Sequence, residues 1–249
     1  PTNQILLLTN TRTGATQLRD YLTARLNYES IDSRAETPVR SFAPYAFDVI
    51  HRIREDEGAT PRLLAGAEQD RLLAELIDGY QHDPDLAIQW PASLIEAVGL
   101  RGLRHELREL IDRSAEYGIE PGQLAELGRA RGRAEWITAA TILQDYRDVL
   151  DLSGAAAYDP SGLITAAASL WEANPVFARQ ELQRIRHIII DDFQDATPAI
   201  HRLVKLIGSH HDIVITVNPD TTVQGFRGAR PQELVHWPEV LAPDAKTVT

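Results

Sequence analysis

Three short apolar runs constrain the fold of this chain more than any other feature of its sequence. They are the segments ILLLT (residues 5–9), RHIIID (186–191) and DIVITV (212–217). Short runs without regular polar alternation are typical of strands that are covered on both faces of a parallel sheet. An amphipathic helix is predicted after the first run and another between the second and the third. Strand–helix–strand units of this kind indicate an α/β fold with a parallel sheet.

The middle of the chain has a different pattern. From about residue 60 to residue 180 we find helical periodicity and no convincing strand, with helices predicted near residues 103–118, 134–150 and 159–173. We therefore predict an α/β layer interrupted by an all-helical insertion. In this prediction residues 1–58 and 182–249 form the α/β part, and residues 59–181 form the insertion.

Composition excludes several classes of protein. The chain of 249 residues is 43% hydrophobic and 24% charged, as in globular proteins, and it has no apolar run near the ~20 residues of a membrane span. It contains no cysteine, which excludes disulfides and thiolate metal sites, and we expect a cytoplasmic protein with no membrane partner. Because it lacks methionine and begins at Pro1, we expect a piece of a longer polypeptide. The net charge of -11 argues against a protein that coats nucleic acid, but it is compatible with a local basic groove.

Two carboxylates follow the second apolar run directly. Ligands of parallel α/β sheets bind beyond the carboxyl ends of the strands, and this is where Asp191 and Asp192 are expected. Asp191 could hold a hydrated Mg²⁺, and Asp192 could orient an attacking water. Alternatively, the two residues only cap the next helix or sit in a turn. The spacing alone does not decide between these interpretations.

Four segments in a fixed order resemble the motifs of UvrD/Rep/RecB-like superfamily 1 DNA helicases. Residues 6–22 (LLLTNTRTGATQLRDYL) resemble motif Ia, and residues 39–50 (VRSFAPYAFDVI) resemble motif Ib. Residues 191–198 (DDFQDATP) resemble motif II, Asp-Glu-x-Gln-Asp followed by Thr/Ser-Pro. Residues 217–230 (VNPDTTVQGFRGAR) resemble motif III, Gly-Asp-x-Asp-Gln-Ser-Ile-Tyr-x-Phe-Arg-Gly-Ala. The helical insertion falls where that family carries its 1B subdomain, and parts of it resemble AdnA-type motors.

The resemblance implies a RecA-like P-loop NTPase subdomain (1A) with an all-α 1B insertion. It further implies an ATP-dependent 3′-to-5′ helicase or translocase acting on single-stranded DNA in repair or recombination. Mg²⁺ and ATP are the implied cofactors, and the implied partners are single-stranded or duplex-end DNA and a second motor or nuclease subunit.

The resemblance also implies roles for individual residues. Asp191 would be the metal ligand, Asp192 and Gln194 would be catalytic, and Asp220 and Thr221 would couple nucleotide state to DNA. The implied DNA-binding residues are Thr9, Asn10, Thr11, Arg12, Ser41, Phe42, Phe226 and Arg227.

Departures from the family pattern favour a second interpretation. Asp192 replaces Glu and withdraws the carboxylate by about 1.5 Å, and a misplacement of ~1 Å can slow catalysis ~10²-fold. Thr221 replaces a longer phosphate-sensing Gln, and Asn10 replaces an aromatic residue of motif Ia. The alternative is therefore a catalytically weakened motor fold that serves as a DNA-binding or subunit-docking scaffold in a helicase–nuclease complex. An unrelated P-loop NTPase, such as a nucleotide kinase, is disfavoured by the QGFRGA segment and its spacing from DDFQD.

The phosphate-binding loop is the largest gap in the resemblance. No G-x-x-x-x-G-K-[ST] segment occurs in the 249 residues. Backbone N–H groups and a lysine of that loop normally cradle the phosphates of ATP. We therefore expect this chain alone, as a fragment lacking the P-loop, not to hydrolyse ATP.

Overall fold

The structure, a computed structural model, describes residues 4–28, 38–83, 86, 88–152, 156–208 and 211–222. These residues divide into two compact units. The first contains the described residues up to Ile53 and from Leu163 onward, and the second is Arg54–Gly162. In chain order the strands and α-helices are β1 (Ile5–Thr9), α1 (Arg12–Tyr28), β2 (Val39–Ser41), α2 (Phe42–Asp56), β3 (Arg62–Leu63), α3 (Gly66–His82), α4 (Arg101–Tyr117), α5 (Pro121–Arg131), α6 (Ala134–Leu152), β4 (Ala157–Tyr158), α7 (Leu163–Ala173), α8 (Pro175–Arg184), β5 (His187–Asp191), α9 (Pro198–Gly208) and β6 (Asp212–Ile215).

The first unit is built on a four-stranded parallel sheet in the order β2-β1-β5-β6. This confirms the predicted parallel α/β layer. The three apolar runs are β1, β5 and β6, although β6 ends at Ile215, two residues before the predicted end. Such differences at element ends are within the usual range of assignment.

Apolar side chains explain why these segments are strands and helices. Leu6, Leu7 and Leu8 of β1 are buried. Helix α9 begins at Pro198, where a missing N–H costs little, and ends at Gly208 as predicted. Its apolar face is buried, as its spacing predicted, through Ile200, Leu203, Val204 and Ile207.

The boundaries between the two units differ from the predicted boundaries. The chain changes unit after Ile53 and after Gly162, whereas the prediction put these changes after residues 58 and 181. Helix α7 packs against α9 and buries Trp171, so α7 and α8 belong to the first unit. Helical periodicity shows that a face is apolar but does not show which partner covers it. Assignment of the two units to subdomains 1A and 1B stays a prediction.

The second unit is a helical body with its own core. Buried residues of α3, α4, α5 and α6 form this core, among them Leu73, Leu107 and Leu143. Helix α4 ends at Gly118, which has φ 65° and forms the predicted left-handed cap. The strands β3 and β4 were not predicted, because each is only two residues long; they pair in parallel. Within the described ranges, no helix has both the length and the apolar character needed to cross a membrane.

Candidate functional site

The carboxyl ends of the central strands meet at one edge of the sheet. Thr9 of β1 pairs in register with Asp191 of β5 on one side and with Ser41 of β2 on the other. The next residues along the chain, Asn10 and Asp192, therefore leave the sheet at the same edge. This edge brings together the segments that resemble motifs Ia, Ib and II.

Asp191 ends β5 and is partly exposed. Its Oδ1 accepts a hydrogen bond from the hydroxyl of Thr216, the residue after β6. No cluster of three or more His, Cys, Asp or Glu with metal-binding geometry occurs in the described part of the chain. Mg²⁺ does not require such a cage, since it keeps several waters and takes one or two carboxylates together with phosphate oxygens. The partly exposed Asp191 carboxylate at the carboxyl end of β5 therefore fits a hydrated magnesium ion.

Asp192 has an unusual backbone conformation. Its φ of 56° and ψ of 39° lie in the left-handed region, and no other described non-glycine residue has a positive φ. Asp and Asn tolerate this region better than other L-residues because their short polar side chains bond locally. The carbonyl oxygen of Asp192 accepts hydrogen bonds from Asn10 Nδ2 at 2.5 Å and from the Asp195 N–H at 3.1 Å. Its side chain is at the exposed turn beyond the strand.

Gln194 connects the turn after β5 to the segment after β6. Its side chain is buried, and its Nε2 donates to Asp192 Oδ1 at 3.2 Å and to Thr221 Oγ1 at 3.3 Å. Its Oε1 accepts from the Asn218 N–H at 3.0 Å. Asp220 is exposed, and its N–H donates to Asn218 Oδ1. The predicted catalytic and nucleotide-coupling residues are thus neighbours in one hydrogen-bonded group.

The predicted DNA-binding residues separate into exposed and buried positions. Thr11 and Arg12 are exposed, whereas Thr9, Ser41 and Phe42 are buried, Phe42 to 1% exposure. The Phe42 side chain contributes to the core, so a DNA contact at this position would have to use the backbone. Asn10 is half-buried, and the remaining two predicted residues, Phe226 and Arg227, lie outside the described residues.

Thr11 also has a structural role. Its hydroxyl accepts from the Gly14 N–H at 2.9 Å and so caps the first turn of α1. A Cβ at Gly14 would lie 3.0 Å from the hydroxyl oxygens of both Thr9 and Thr11. Glycine at this position leaves room for the two hydroxyls at the start of α1.

Three contributions to this edge were missed by reasoning from the sequence. They are the Thr216 bond to Asp191, the part of Asn218 in the Gln194 group, and the contact between Asn10 and Asp192. Thr216 and Asn218 could have been noted as polar residues directly after an apolar strand. No sequence signal links Asn10 to Asp192, because 182 positions separate them.

The fold and the edge together define a class of α/β proteins that bind ligands beyond the carboxyl ends of parallel strands. Residues 1–239 match the family model of the UvrD/REP helicase N-terminal domain. The chain belongs to this family, as the resemblance predicted. AdnA-type membership is not distinguished by this match.

Curated relatives carry helicase names. DNA helicase II of Escherichia coli is 23% identical over 188 residues, which are 75% of this chain and 23% of that protein. DNA helicase II of Haemophilus influenzae is 28% identical over 121 residues, 48% of this chain and 16% of that protein. ATP-dependent DNA helicase Rep of Escherichia coli is 32% identical over 78 residues, 31% of this chain and 12% of that protein. The matched part of the chain thus spans less than a quarter of each of these relatives.

Proposed function

We propose that the protein containing this chain is an ATP-dependent DNA helicase or translocase that moves 3′ to 5′ on single-stranded DNA in repair or recombination. The observation that carries the proposal is the Gln194 group, in which a strand-end carboxylate is bonded to the segment that resembles motif III. Family membership and the names of the relatives support the same activity. The polarity, the single-strand preference and the repair role are taken from the family resemblance.

In this proposal Asp191 and Asp192 have separate roles at the edge of the sheet. Asp191 would hold Mg²⁺, which supplies charge neutralisation at the phosphates of bound ATP. Asp192 would orient the attacking water and accept its proton. Its exposed side chain is compatible with access for water and nucleotide. The hydrogen bond from Gln194 Nε2 orients the Asp192 carboxylate.

Gln194 would couple a change in the bound nucleotide to a movement of the residues after β6. A shift of the Asp192 carboxylate would move Gln194 through the hydrogen bond to its Nε2. The same side-chain amide is hydrogen-bonded to Thr221 and to the Asn218 N–H. Asp220 and Thr221 lead directly into the segment that contains Phe226 and Arg227. Those two residues would hold DNA, Phe226 by stacking on a base, which is worth ~1–3 kcal/mol per base.

DNA would also meet the start of α1. Thr11 and Arg12 are exposed there, and the arginine can pair with a phosphate. With a net charge of -11, we expect weak DNA binding outside such local positions and strong sensitivity to salt. A second motor or nuclease subunit and a cytoplasmic location remain part of the proposal through the family resemblance.

The deciding experiment is ATP turnover by the full-length protein, with and without single-stranded DNA, next to its Asp191→Ala variant. DNA-stimulated turnover that is lost in the variant supports a motor with Asp191 as magnesium ligand. If neither protein turns over ATP while DNA binding is intact, the motor proposal is wrong.

The alternative is a weakened motor fold that acts as a DNA-binding or docking scaffold. The observation that favours it is the short Thr221 side chain, whose hydroxyl donates to the Asn218 carbonyl oxygen three residues before it. An Asp192→Glu variant separates the two functions. If the wild-type protein is a motor slowed by its short Asp192 side chain, the variant should turn over ATP faster than wild type. If the protein is a scaffold, the variant and the wild type should have the same ATP turnover.

A further inference from the structure

We infer that Asn10 is a positioning residue for Asp192, and this inference rests on the proposed function of Asp192. The sequence resemblance made Asn10 a DNA-binding residue. In the structure its donor end is turned toward the protein, with Nδ2 bonded to the Asp192 carbonyl oxygen at 2.5 Å. Asn10 therefore acts on the reaction through another residue.

The left-handed backbone of Asp192 explains why such a residue is needed. A residue other than glycine adopts this backbone conformation only when its surroundings favour it. The Asp192 carbonyl uses both of its acceptor positions, one for Asn10 Nδ2 and one for the Asp195 N–H. The Asn10 bond comes from the neighbouring strand and therefore fixes the turn relative to the sheet.

The register between β1 and β5 places Asn10 next to Asp192. Thr9 and Asp191 are partners across the sheet, so Asn10 and Asp192 are each one residue beyond a paired position. The position thus suits a short amide side chain. The aromatic residue that the family usually has here carries no amide donor for this carbonyl.

Two hydrogen bonds then determine the position of the Asp192 carboxylate. Asn10 holds its backbone, and Gln194 holds Oδ1 of its side chain. A shorter carboxylate than the family's Glu has less reach, so its placement depends more on its backbone. We expect loss of the Asn10 donor to move the carboxylate away from its water while DNA and nucleotide still bind.

The other amide atom of Asn10 supports the same assignment. Asn10 Oδ1 is buried and has no hydrogen-bond partner in the described part of the chain. Among the described residues, only the amide donor of this side chain makes a hydrogen bond. The variant Asn10→Asp keeps the size and shape of the side chain but removes that donor, which makes it a sharp test.

The test measures kcat at saturating single-stranded DNA, KM for ATP and Kd for single-stranded DNA in the full-length protein. Wild type is compared with Asn10→Ala and Asn10→Asp at pH 8. We expect kcat to fall about 10- to 100-fold in both variants, with KM and Kd within about twofold of wild type. A weaker Kd with unchanged kcat would mean that Asn10 is a DNA contact, and this would overturn the inference. Unchanged values throughout would overturn it as well.

A pH series gives a readout that a general packing defect would not produce. The carboxyl introduced by Asn10→Asp faces a carbonyl oxygen, which disfavours its ionised form and raises its pKa. Once protonated it can donate to the Asp192 carbonyl. The ratio of the Asn10→Asp kcat to the wild-type kcat should therefore rise as pH falls from 8 toward 5.5, while the Asn10→Ala ratio stays constant. Parallel ratios for the two variants contradict the inference.

The same variants separate this inference from the proposed function. The denaturation midpoint of the 249-residue chain, measured over the same pH range, should show a matching recovery for Asn10→Asp whether or not ATP is hydrolysed. A wild-type protein without DNA-stimulated turnover overturns the proposed function and the catalytic role of Asn10 with it. An active wild type whose turnover is insensitive to both variants overturns the role of Asn10 alone.

Discussion

Asp159 is a buried carboxyl group in the second unit. The hydroxyl of Tyr146 donates to its Oδ1 at 2.8 Å. The pKa of Asp159 is raised to about 6, mainly by burial and in part by the nearby Asp112, while the Tyr146 bond opposes the rise. Arg108 and Arg147 also face this carboxyl and act to lower its pKa.

This pKa predicts the sign of a pH effect on stability. The folded-state pKa is above the ordinary value of 3.8, so the folded state binds more protons than the unfolded state between about pH 4 and 6. Asp159 therefore destabilises the fold as pH rises through this range. An Asp159→Asn variant should be more stable than wild type at pH 8, by up to about 3 kcal/mol, and this advantage should shrink toward pH 4.

Urea denaturation of the 249-residue chain at pH 4.5, 6 and 8 measures this difference. The control is Asp148→Asn, which removes a carboxylate from an exposed position on α6. An equal gain in both variants at pH 8 would show that net charge, not the buried position, is the cause.

Gln194 allows a second prediction at the scale of one residue. Its amide is 2% exposed and bonds Asp192, Asn218 and Thr221. A Gln194→Leu variant leaves the Asn218 N–H without its partner and should lower the free energy of unfolding by about 1–3 kcal/mol. A Gln194→Glu variant puts a second carboxylate beside Asp192 and should be less stable at pH 8 than at pH 5. Thermal denaturation at the two pH values tests both, and a Gln194→Glu protein that is more stable at pH 8 would refute the account.

Sequence reasoning identified most residues of the candidate site but not their geometry. Asp191 and Asp192 were found because a strand was predicted to end there, and Gln194 was found through the resemblance of residues 191–198 to motif II. The left-handed conformation of Asp192 and its bond to Asn10 depend on which strands are neighbours and in what register. A single sequence contains neither, so the DNA-binding role predicted for Asn10 overlooked its contact with Asp192.

Helices α2 and α8 are joined by a buried ion-pair cluster. The Glu181 carboxylate is 2% exposed and accepts bidentate hydrogen bonds from both Arg52 and Arg184. Burial alone would raise the pKa of Glu181, but the bonds from Arg184 and Arg52 outweigh it and lower the pKa below its ordinary value of 4.5. Its contribution to stability is therefore present above about pH 4.5 and is lost as pH falls through the lowered pKa.

Removing this carboxylate should be costly. A Glu181→Ala variant leaves Arg52 and Arg184, which are partly exposed, without their shared partner, although Arg52 keeps its ion pair with Asp48. It should lose about 1.5–3 kcal/mol of unfolding free energy at pH 7, the range for hydrogen bonds to charged groups. The matched control is Glu172→Ala, since Glu172 and Arg202 form an exposed pair that should contribute at most about 1 kcal/mol. Urea denaturation at pH 7 compares the two, and similar losses would mean that burial does not set the strength of the Glu181 pair.

Helix α5, which packs against α6, has two glycines whose substitution by alanine should have opposite effects. A Cβ at Gly128 would lie 2.9 Å from Ile137 Cγ1, 3.0 Å from the Arg133 carbonyl oxygen and 3.1 Å from the Ile137 nitrogen. At Gly122, on the same helix, a Cβ would meet nothing within 4 Å. Gly128→Ala should therefore destabilise the chain by about 1–3 kcal/mol, and Gly122→Ala should be neutral or stabilise it by up to about 1 kcal/mol. The denaturation midpoints test this contrast, and a stabilising Gly128→Ala would show that α5 and α6 can separate without loss.

At this scale the sequence predicts elements better than it predicts their partners. The periodicity of residues 159–173 correctly indicated a helix, and α7 forms there. Its apolar face suits a helical bundle and the α/β layer equally well, so the periodicity could not show that α7 packs against α9. The pair β3–β4 was missed because two residues cannot establish a period.

The part of the chain that the structure describes forms two units, each with its own buried core. In the second unit, residues 54–162 contain a continuous apolar cluster from α3, α4, α5 and α6. A polypeptide of residues 54–162 should therefore fold by itself, with helical circular dichroism and a cooperative thermal transition. Leu73 is fully buried, so a Leu73→Asp variant of this polypeptide should lose the transition. A polypeptide that melts gradually, without a transition, would mean that the unit depends on the rest of the chain.

The parallel pair β3–β4 has a consequence for protein engineering. Arg62–Leu63 and Ala157–Tyr158 are hydrogen-bonded neighbours, so the incoming and outgoing chains run about 4.8 Å apart. Because its two ends are this close, the segment between β3 and β4 can be treated as a cassette, that is, a unit that is replaced as a whole. Helical domains of other lengths could be grafted between these two strands, and the two junctions would keep their spacing whatever the cassette carries.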